Sequence, residues 1–274
     1  MIRCRPKALW VLSVERCCRT LGISRAAFYK QPARAGKDEL ALAERVRQVH
    51  EVFPSYGYRR VSLEIGLSPK STRTLMRRHG LQGRSRRKSR SCTRPVRIPQ
   101  AANLMPDLDL SEPCKVFAGD VTQIALRFGR KAYVATLMDV CTRQIVGWGV
   151  CPRNDTQLTL GALDMLLCSR KLQPGWVHHS DRGSNYAADR YRELVLARQG
   201  LLSYSDPGEP TQNAYIESLF NTFKLESAEE DIYDNLQDAK HAVSAYILLY
   251  NSSRRHSSIG YVAPDQFYAE ICLR

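Results

Sequence analysis

The apolar positions change their period along the chain. Up to about residue 82 they recur at helical spacing, from 115 to 151 they run in short β-rich stretches, and beyond 156 helices and short strands alternate. Residues 8–31 predict two short helices, Ala8 to Thr20 and Ser24 to Lys30, joined by Leu21-Gly22-Ile23 with Ser24 as N-cap. That helix-turn-helix outline packs Leu21, Ile23 and Ala27 inside and offers Arg25, Phe28, Tyr29 and Lys30 to a groove. A plain helical hairpin fits the pattern equally well. After the punctuation of Pro32 to Lys37, Leu40, Leu42, Val46, Val49 and Val52 predict a helix over about 38–52. Ser55-Tyr56-Gly57-Tyr58-Arg59-Arg60 then leads into Val61 to Ile65. Ser68-Pro69-Lys70 opens a helix that carries Arg73, Arg77 and Arg78 to His79, a second helix-turn-helix outline.

Lys115 to Phe128, Lys131 to Asp139 and Gln144 to Cys151 predict a three-stranded antiparallel meander, turned at Phe128-Gly129-Arg130 and Cys141-Thr142-Arg143. A helix over Thr156–Arg170, a strand over Trp176–His179, a helix over Ala188–Gln199, a strand over Leu201–Ser205 and a helix over Thr211–Glu226 follow. A last helix is expected over about 236–251, then a tail with Arg254, Arg255 and His256. This order is α/β and RNase H-like: a mixed five-stranded sheet with flanking helices, preceded by small all-α helix-turn-helix segments. The expected divisions are 1–35 (helix-turn-helix-like), 36–98 (a second such domain with a basic linker), 110–228 (the RNase H-like core) and 229–274 (helical extension of that core). No internal repeat is evident.

Charge sharpens this division. The net charge is +14, yet residues 1–100 hold 24 Lys/Arg against 6 Asp/Glu, and the remainder holds 17 against 21. A solvated basic surface is the plain reading, but a basic excess confined to one region marks a polyanion-binding module, here for nucleic acid. From Gly83 to Arg97, Arg84, Arg86, Arg87, Lys88, Arg90, Arg94 and Arg97 form a basic linker that tracks phosphates. Nine cysteines without a C-x-x-C pair suit reduced thiols in a cytoplasm. No apolar run approaches the roughly 18 residues of a membrane span, and no cleavable leader is visible, so a cytoplasmic protein is expected.

Three carboxylates stand where phosphoryl-transfer chemistry needs them. Asp120 lies in the middle of the first strand, in Gly119-Asp120-Val121-Thr122, where an ionised side chain is costly unless a cation faces it. Asp181 follows the strand Val177-His178-His179, a strand-to-loop position where α/β sites lie, and Glu217 sits among apolar neighbours on a helix. The spacing is D-x(60)-D-x(35)-E. Hard oxygen ligands of this kind hold divalent ions that activate a nucleophile and stabilise a leaving oxygen. Lys224, two helical turns past Glu217, can reach a phosphate beside the ions, whereas Glu226 is read as a solvated neighbour. By chemistry alone Asp139, ending the second strand, competes with Asp120. His178 and His179 are read as packed or solvated by default, and Asn185 as orienting the loop.

Leu21-Gly22-Ile23-Ser24-Arg25, Tyr56-Gly57-Tyr58-Arg59-Arg60, Gly119-Asp120-Val121-Thr122, His179-Ser180-Asp181-Arg182-Gly183-Ser184, Asn213 to Ser218 with Lys224-Leu225-Glu226, and Tyr250-Asn251 with Arg255-His256 and Pro264 run over nearly the whole chain. In these blocks the chain resembles the second-frame (OrfB-type) transposases of two-frame bacterial insertion sequences, in the retroviral integrase (DDE) superfamily. The resemblance implies an RNase H-like integrase core, two Mg²⁺ or Mn²⁺ ions held by Asp120, Asp181 and Glu217, cleavage at element ends, and 3′-hydroxyl strand transfer into target DNA. It also implies DNA contacts from Lys224, Arg25, Arg59, Arg60, Arg73, Arg77, Arg78, Arg86, Arg87 and Lys88, a homo-oligomer on DNA, and the upstream-frame product as a separate partner or frameshift fusion. Phe117 replaces a common Trp, Asn185 a Gln and Gln212 an Asp, and the stretch between Arg60 and Arg73 is short for the family; no ligand is lost. The zinc module of retroviral integrases is missing, so no zinc is expected. The alternatives are an element-encoded DNA-binding regulator that does not cut, and an RNase H-type nuclease acting on RNA–DNA hybrids.

Overall fold

The computed structural model describes residues 14–22, 24, 25, 28, 37–85, 102–206, 209–228 and 232–273. Arg86, Arg87, Lys88 and most of the basic linker lie outside these residues, as does most of the helix expected over Ser24–Lys30. Helix α1 (Val14–Thr20) is the described part of the first predicted helix. The chain divides into two compact units, Met1–Arg45 and Val46–Arg274.

Helix α2 (Lys37–Val52) forms where predicted, but it buries Ala43 and Val46 and leaves Leu40 and Val52 of the expected apolar set exposed. Helix α3 (Tyr58–Ile65) stops at Gly66, whose φ of 72° is the left-handed conformation that only glycine adopts without strain. Helix α4 (Pro69–Arg78) begins on Ser68, whose hydroxyl accepts the Ser71 N–H at 3.1 Å, with Pro69 in the first turn.

Strands β1 (Val116–Ala125), β2 (Lys131–Asp139) and β3 (Ile145–Cys151) form the expected meander, and β4 (Val177–Ser180) and β5 (Leu201–Tyr204) extend it in the order β3-β2-β1-β4-β5. β1 is antiparallel to β2 and parallel to β4, which is parallel to β5. Helices α5 (Thr156–Ser169) and α7 (Asp189–Ala197) cover one face through Leu158, Leu163, Leu166, Tyr191 and Val195. Helices α8 (Ala214–Phe223) and α9 (Leu236–Ser253) cover the other through Ile216, Leu219, Phe220, Val243 and Ile247. α5 rests so close to β3 that a Cβ on Gly147 would stand 2.1 Å from the Ala162 carbonyl oxygen. Asn251 on α9 returns both side-chain hydrogen bonds, at 2.9 Å, to the Ile145 backbone at the start of β3.

Three elements differ from expectation. The helix predicted over Thr211–Glu226 is a 3-10 turn (Pro210–Asn213), then α8, then a wider π turn (Lys224–Ala228). A four-residue helix α6 (Ser184–Ala187) follows β4. The supposed tail folds back as a 3-10 turn and helix α10 (Pro264–Cys272), begun by Pro264, a start signal that stood in the sequence.

Glu226 is the largest correction. It is not solvated: its carboxylate pairs with Arg254, and the two side chains are only 4% and 3% exposed. The Ser55 hydroxyl donates to Glu226 Oε1 at 2.5 Å and accepts from Arg254 Nη2 at 3.0 Å. Tyr56, fully buried, stacks on Phe53 and lies beneath the guanidinium groups of Arg60 and Arg254. Its hydroxyl accepts the Arg255 N–H at 2.6 Å, and Arg255 Nε reaches Glu64 at 2.6 Å. The Tyr56 to Arg60 block therefore docks residues 55–64 onto the chain after α9. Removing one partner of such a buried pair typically costs about 3–5 kcal/mol.

His256 beside this clasp is pushed down to about 3 by burial and by the charges of Arg254, Arg60 and Arg143. The unfolded chain takes up that proton near 6.5, so stability is complete above 6.5 and is lost as pH falls from there towards 3. Replacing His256 with Phe, which keeps the ring contact with Tyr250, should flatten the fall in urea-unfolding stability over that window by about 1 kcal/mol per pH unit.

Candidate active site

Parallel pairing of β1 with β4 places Gly119 opposite Ser180, so Asp120 and Asp181 leave adjacent strands side by side. Gly119 has no alternative here, because a Cβ would stand 2.7 Å from the ring of His178. The Val121 N–H donates to Asp120 Oδ1 at 2.7 Å, and the Gly183 N–H to Asp181 Oδ1 at 2.9 Å, pinning one oxygen of each carboxylate. The buried Asn213 donates to the Gly119 carbonyl at 3.3 Å and anchors the start of α8 beside Asp120. Four residues on, Glu217 projects from α8, which packs across β1.

All three carboxylates are half-buried. Asp120 is pushed up to about 7, first by burial, then by the negative charge of Asp181, with Glu217 adding to the effect and Lys224 opposing it. Burial raises Asp181 and Glu217 as well. Asp120 thus feels both other acids and the lysine predicted to lie with them. Among the described residues no three His, Cys, Asp or Glu side chains are gathered tightly enough to enclose an ion. The donors are nevertheless the hard oxygens that Mg²⁺ or Mn²⁺ requires, and their mutual repulsion is what a cation relieves.

The competitor Asp139 is accounted for otherwise. Fully buried, it accepts the N–H groups of Cys114, Cys141 and Thr142 at 2.8, 2.9 and 3.2 Å, so it ties the β2–β3 turn to the segment before β1. It pairs with Phe117 in the sheet, whereas Asp120 pairs with Thr136. His178 and His179 are buried and held neutral, each lowered chiefly by burial. His178 meets the Tyr191 hydroxyl at 3.1 Å, and His179 is spanned by Ser203 and Ser205 at 2.8 and 3.1 Å. Asn185 joins Asn154 across to the segment before α5. Asn213 escaped the reading of individual side chains, although it stood inside a motif block.

Arg25, Arg59, Arg73, Arg77 and Arg78 are exposed, and Arg59 and Arg73 lie 5.4 and 5.7 Å from the ring centre of Tyr58. Arg60 differs from this set, because its guanidinium stacks on Tyr56 within the clasp.

The five-stranded mixed sheet, with acidic side chains on β1, just after β4 and on α8, fits the class of nucleic-acid-processing proteins with an integrase core. Family comparison agrees, with integrase core domain matches over residues 111–210 and 200–264 and an HTH-like domain over 37–89. The chain is 30% identical over 274 residues to the transposase InsF of insertion sequence IS3A from Escherichia coli (strain K12), covering 93% of each. It is 31% identical over 264 residues to a 31 kDa protein of insertion element IS600 from Shigella sonnei, covering 91% of this chain and 96% of that one. A transposase of IS904 from Lactococcus lactis is 29% identical over 254 residues, 87% of this chain and 98% of the relative. The catalytic core domain of BIV integrase superposes with a TM-score of 0.45 at 17% identity, over 58% of this chain and 97% of that chain. The chain belongs to the insertion-sequence transposase family of InsF, within the DDE integrase superfamily. No helix among the described residues is long and apolar enough to cross a membrane.

The raised Asp120 carboxyl carries a consequence for stability without metal. The unfolded chain ionises this group near 3.8 and the folded chain near 7, so stability falls as pH rises between those values. Asp120→Asn should raise metal-free stability at pH 8 by about 2 kcal/mol, and much less at pH 5. Added Mg²⁺ should raise the melting temperature of the wild-type protein alone. Thermal melts in EDTA and in Mg²⁺ check both parts.

Proposed function

We propose that Asp120, Asp181 and Glu217 are the catalytic carboxylates of this DDE transposase, which breaks phosphodiester bonds at the ends of its element and joins the freed 3′-hydroxyl to target DNA. Asp120, Asp181 and Glu217 would hold the divalent cations, two Mg²⁺ or Mn²⁺ ions. When bound, these cations supply charge neutralisation and an activated oxygen nucleophile. The observation that carries this reading is the placement of the three acids: Asp120 and Asp181 each follow the paired residues Gly119 and Ser180 of adjacent strands, and the helix bearing Glu217 is anchored to the Gly119 carbonyl by Asn213; the raised Asp120 carboxyl accords with it. A site of that kind favours a divalent cation and, beside it, a phosphate.

The chain's own groups perform the remaining tasks. The Val121 and Gly183 N–H groups keep the two aspartates from rotating. The Lys224 ammonium meets a non-bridging phosphate oxygen, so it orients the substrate and offsets charge as the attacking oxygen bonds to phosphorus and the opposite P–O bond breaks. Residues 1–35 and 36–98 bind DNA through Arg25, Arg59, Arg73, Arg77, Arg78 and the linker residues Arg86, Arg87 and Lys88. The core of 110–228 and its extension of 229–274 carry the chemistry. The protein works as a homo-oligomer on double-stranded DNA in the bacterial cytoplasm, with the upstream-frame product as separate partner or fusion. Family membership argues against a non-cutting regulator and against an RNase H-type nuclease.

The test is end cleavage and strand transfer with Asp120→Asn, Asp181→Asn and Glu217→Gln proteins, each supplied with Mg²⁺. Each should lose at least about a thousandfold in rate while retaining duplex binding. A variant cutting at the wild-type rate removes that residue from the site, and cleavage undiminished in EDTA removes the cation chemistry.

A further inference from the structure

Lys224 and Glu226 share one π turn, Lys224–Ala228, immediately after the helix that bears Glu217. Wide turns of this kind are uncommon and cost hydrogen-bond geometry, so something outside the helix must hold them. Here the hold is visible on both sides. The Ser227 hydroxyl donates to the Phe223 carbonyl at 3.0 Å, and the Tyr233 hydroxyl donates to the Ser227 carbonyl at 2.7 Å. Glu226 is seized by Arg254 and by Ser55, the latter on the segment leading into the helix-turn-helix. The Arg254 fork is itself fixed, with one nitrogen on Glu226, another on Ser55, and its plane over Tyr56 and Tyr250.

We infer that Arg254 is a positioning residue for the reaction: through Glu226 it sets the register of the π turn and thereby the place of Lys224, seven residues beyond Glu217. Ser55 and Tyr56 make that position depend on the docked helix-turn-helix segment. The positive charge of Lys224 at Asp120 accords with this placement. The inference rests on the phosphate contact proposed above for Lys224. It goes further in tying a residue 28 positions beyond Glu226, and one 171 positions before it, to the active centre.

A double-mutant cycle on the full chain tests it, using the initial rate of strand nicking in Mg²⁺ across a range of duplex concentrations. Arg254→Lys keeps the charge but loses the fork, and should lower kcat about tenfold with KM for duplex changed less than about twofold, as expected for a misplaced group. Lys224→Met should lower kcat at least as far. Adding Arg254→Lys to Lys224→Met should cost less than about twofold more, because the lysine through which Arg254 acts is gone. Losses that multiply overturn the coupling while leaving the Lys224 contact standing, and so does an Arg254→Lys protein with wild-type kcat. An unchanged kcat in Lys224→Met removes the phosphate contact and the coupling together. Circular dichroism melts confirm that each protein is folded at the assay temperature. Should Arg254→Lys melt below it, Ser55→Ala carries the same cycle, since it keeps both charges and removes only the bridging hydroxyl.

Discussion

A carboxylate set midway along the central strand of a sheet is a standing electrostatic cost, and much of the core is arranged around it. Asp120 cannot retreat, because its own strand is paired on both sides, to β2 and to β4. Parallel pairing brings a second acid alongside, and the helix across β1 brings a third, so like charges are assembled where burial already disfavours each of them. Positive charge relieves such an arrangement, and Lys224 lowers the proton affinity of Asp120 in that sense. The neighbouring residues serve this geometry: Gly119 admits the His178 ring, the two buried histidines of β4 stay neutral, and Asn213 locks the helix start to the Gly119 carbonyl.

A second buried charge pair does different work. Arg254 and Glu226 sit where an apolar contact of similar volume would stabilise as well, but an apolar contact would not specify direction. The fork of Arg254, the Ser55 hydroxyl and the Tyr56 phenol demand one register among three segments that are far apart in sequence. The Tyr56-Gly57-Tyr58-Arg59-Arg60 block thereby divides its labour. Tyr56 and Arg60 face inward to the clasp, while Arg59 remains exposed on α3.

How much of this was legible in the sequence follows from how local each signal is. The order of elements came through because periodicity, turn residues and caps act over a few positions, as at Ser68 and Pro69. Asp181 and Glu217 stood in short motifs. Asp120 was preferred to Asp139 on strand position and family match, whereas the three N–H groups that converge on Asp139 come from segments whose meeting no local pattern displays. Glu226 was misread because helical geometry was carried past Phe223 into a π turn, and its partners are remote in the chain. Helix α10 was missed although Pro264 marked its start, because nine residues offer too few apolar positions to establish a period.

In the proposed reaction the chain cuts and joins DNA by direct displacement at phosphorus, with carboxylate-held cations and no covalent link between protein and DNA. Strand transfer into a target bearing a phosphorothioate of known configuration at the joined position tests that most directly. A single in-line displacement inverts the configuration, and inversion is the result expected here. Retention, or DNA trapped covalently on the protein during the reaction, would contradict it.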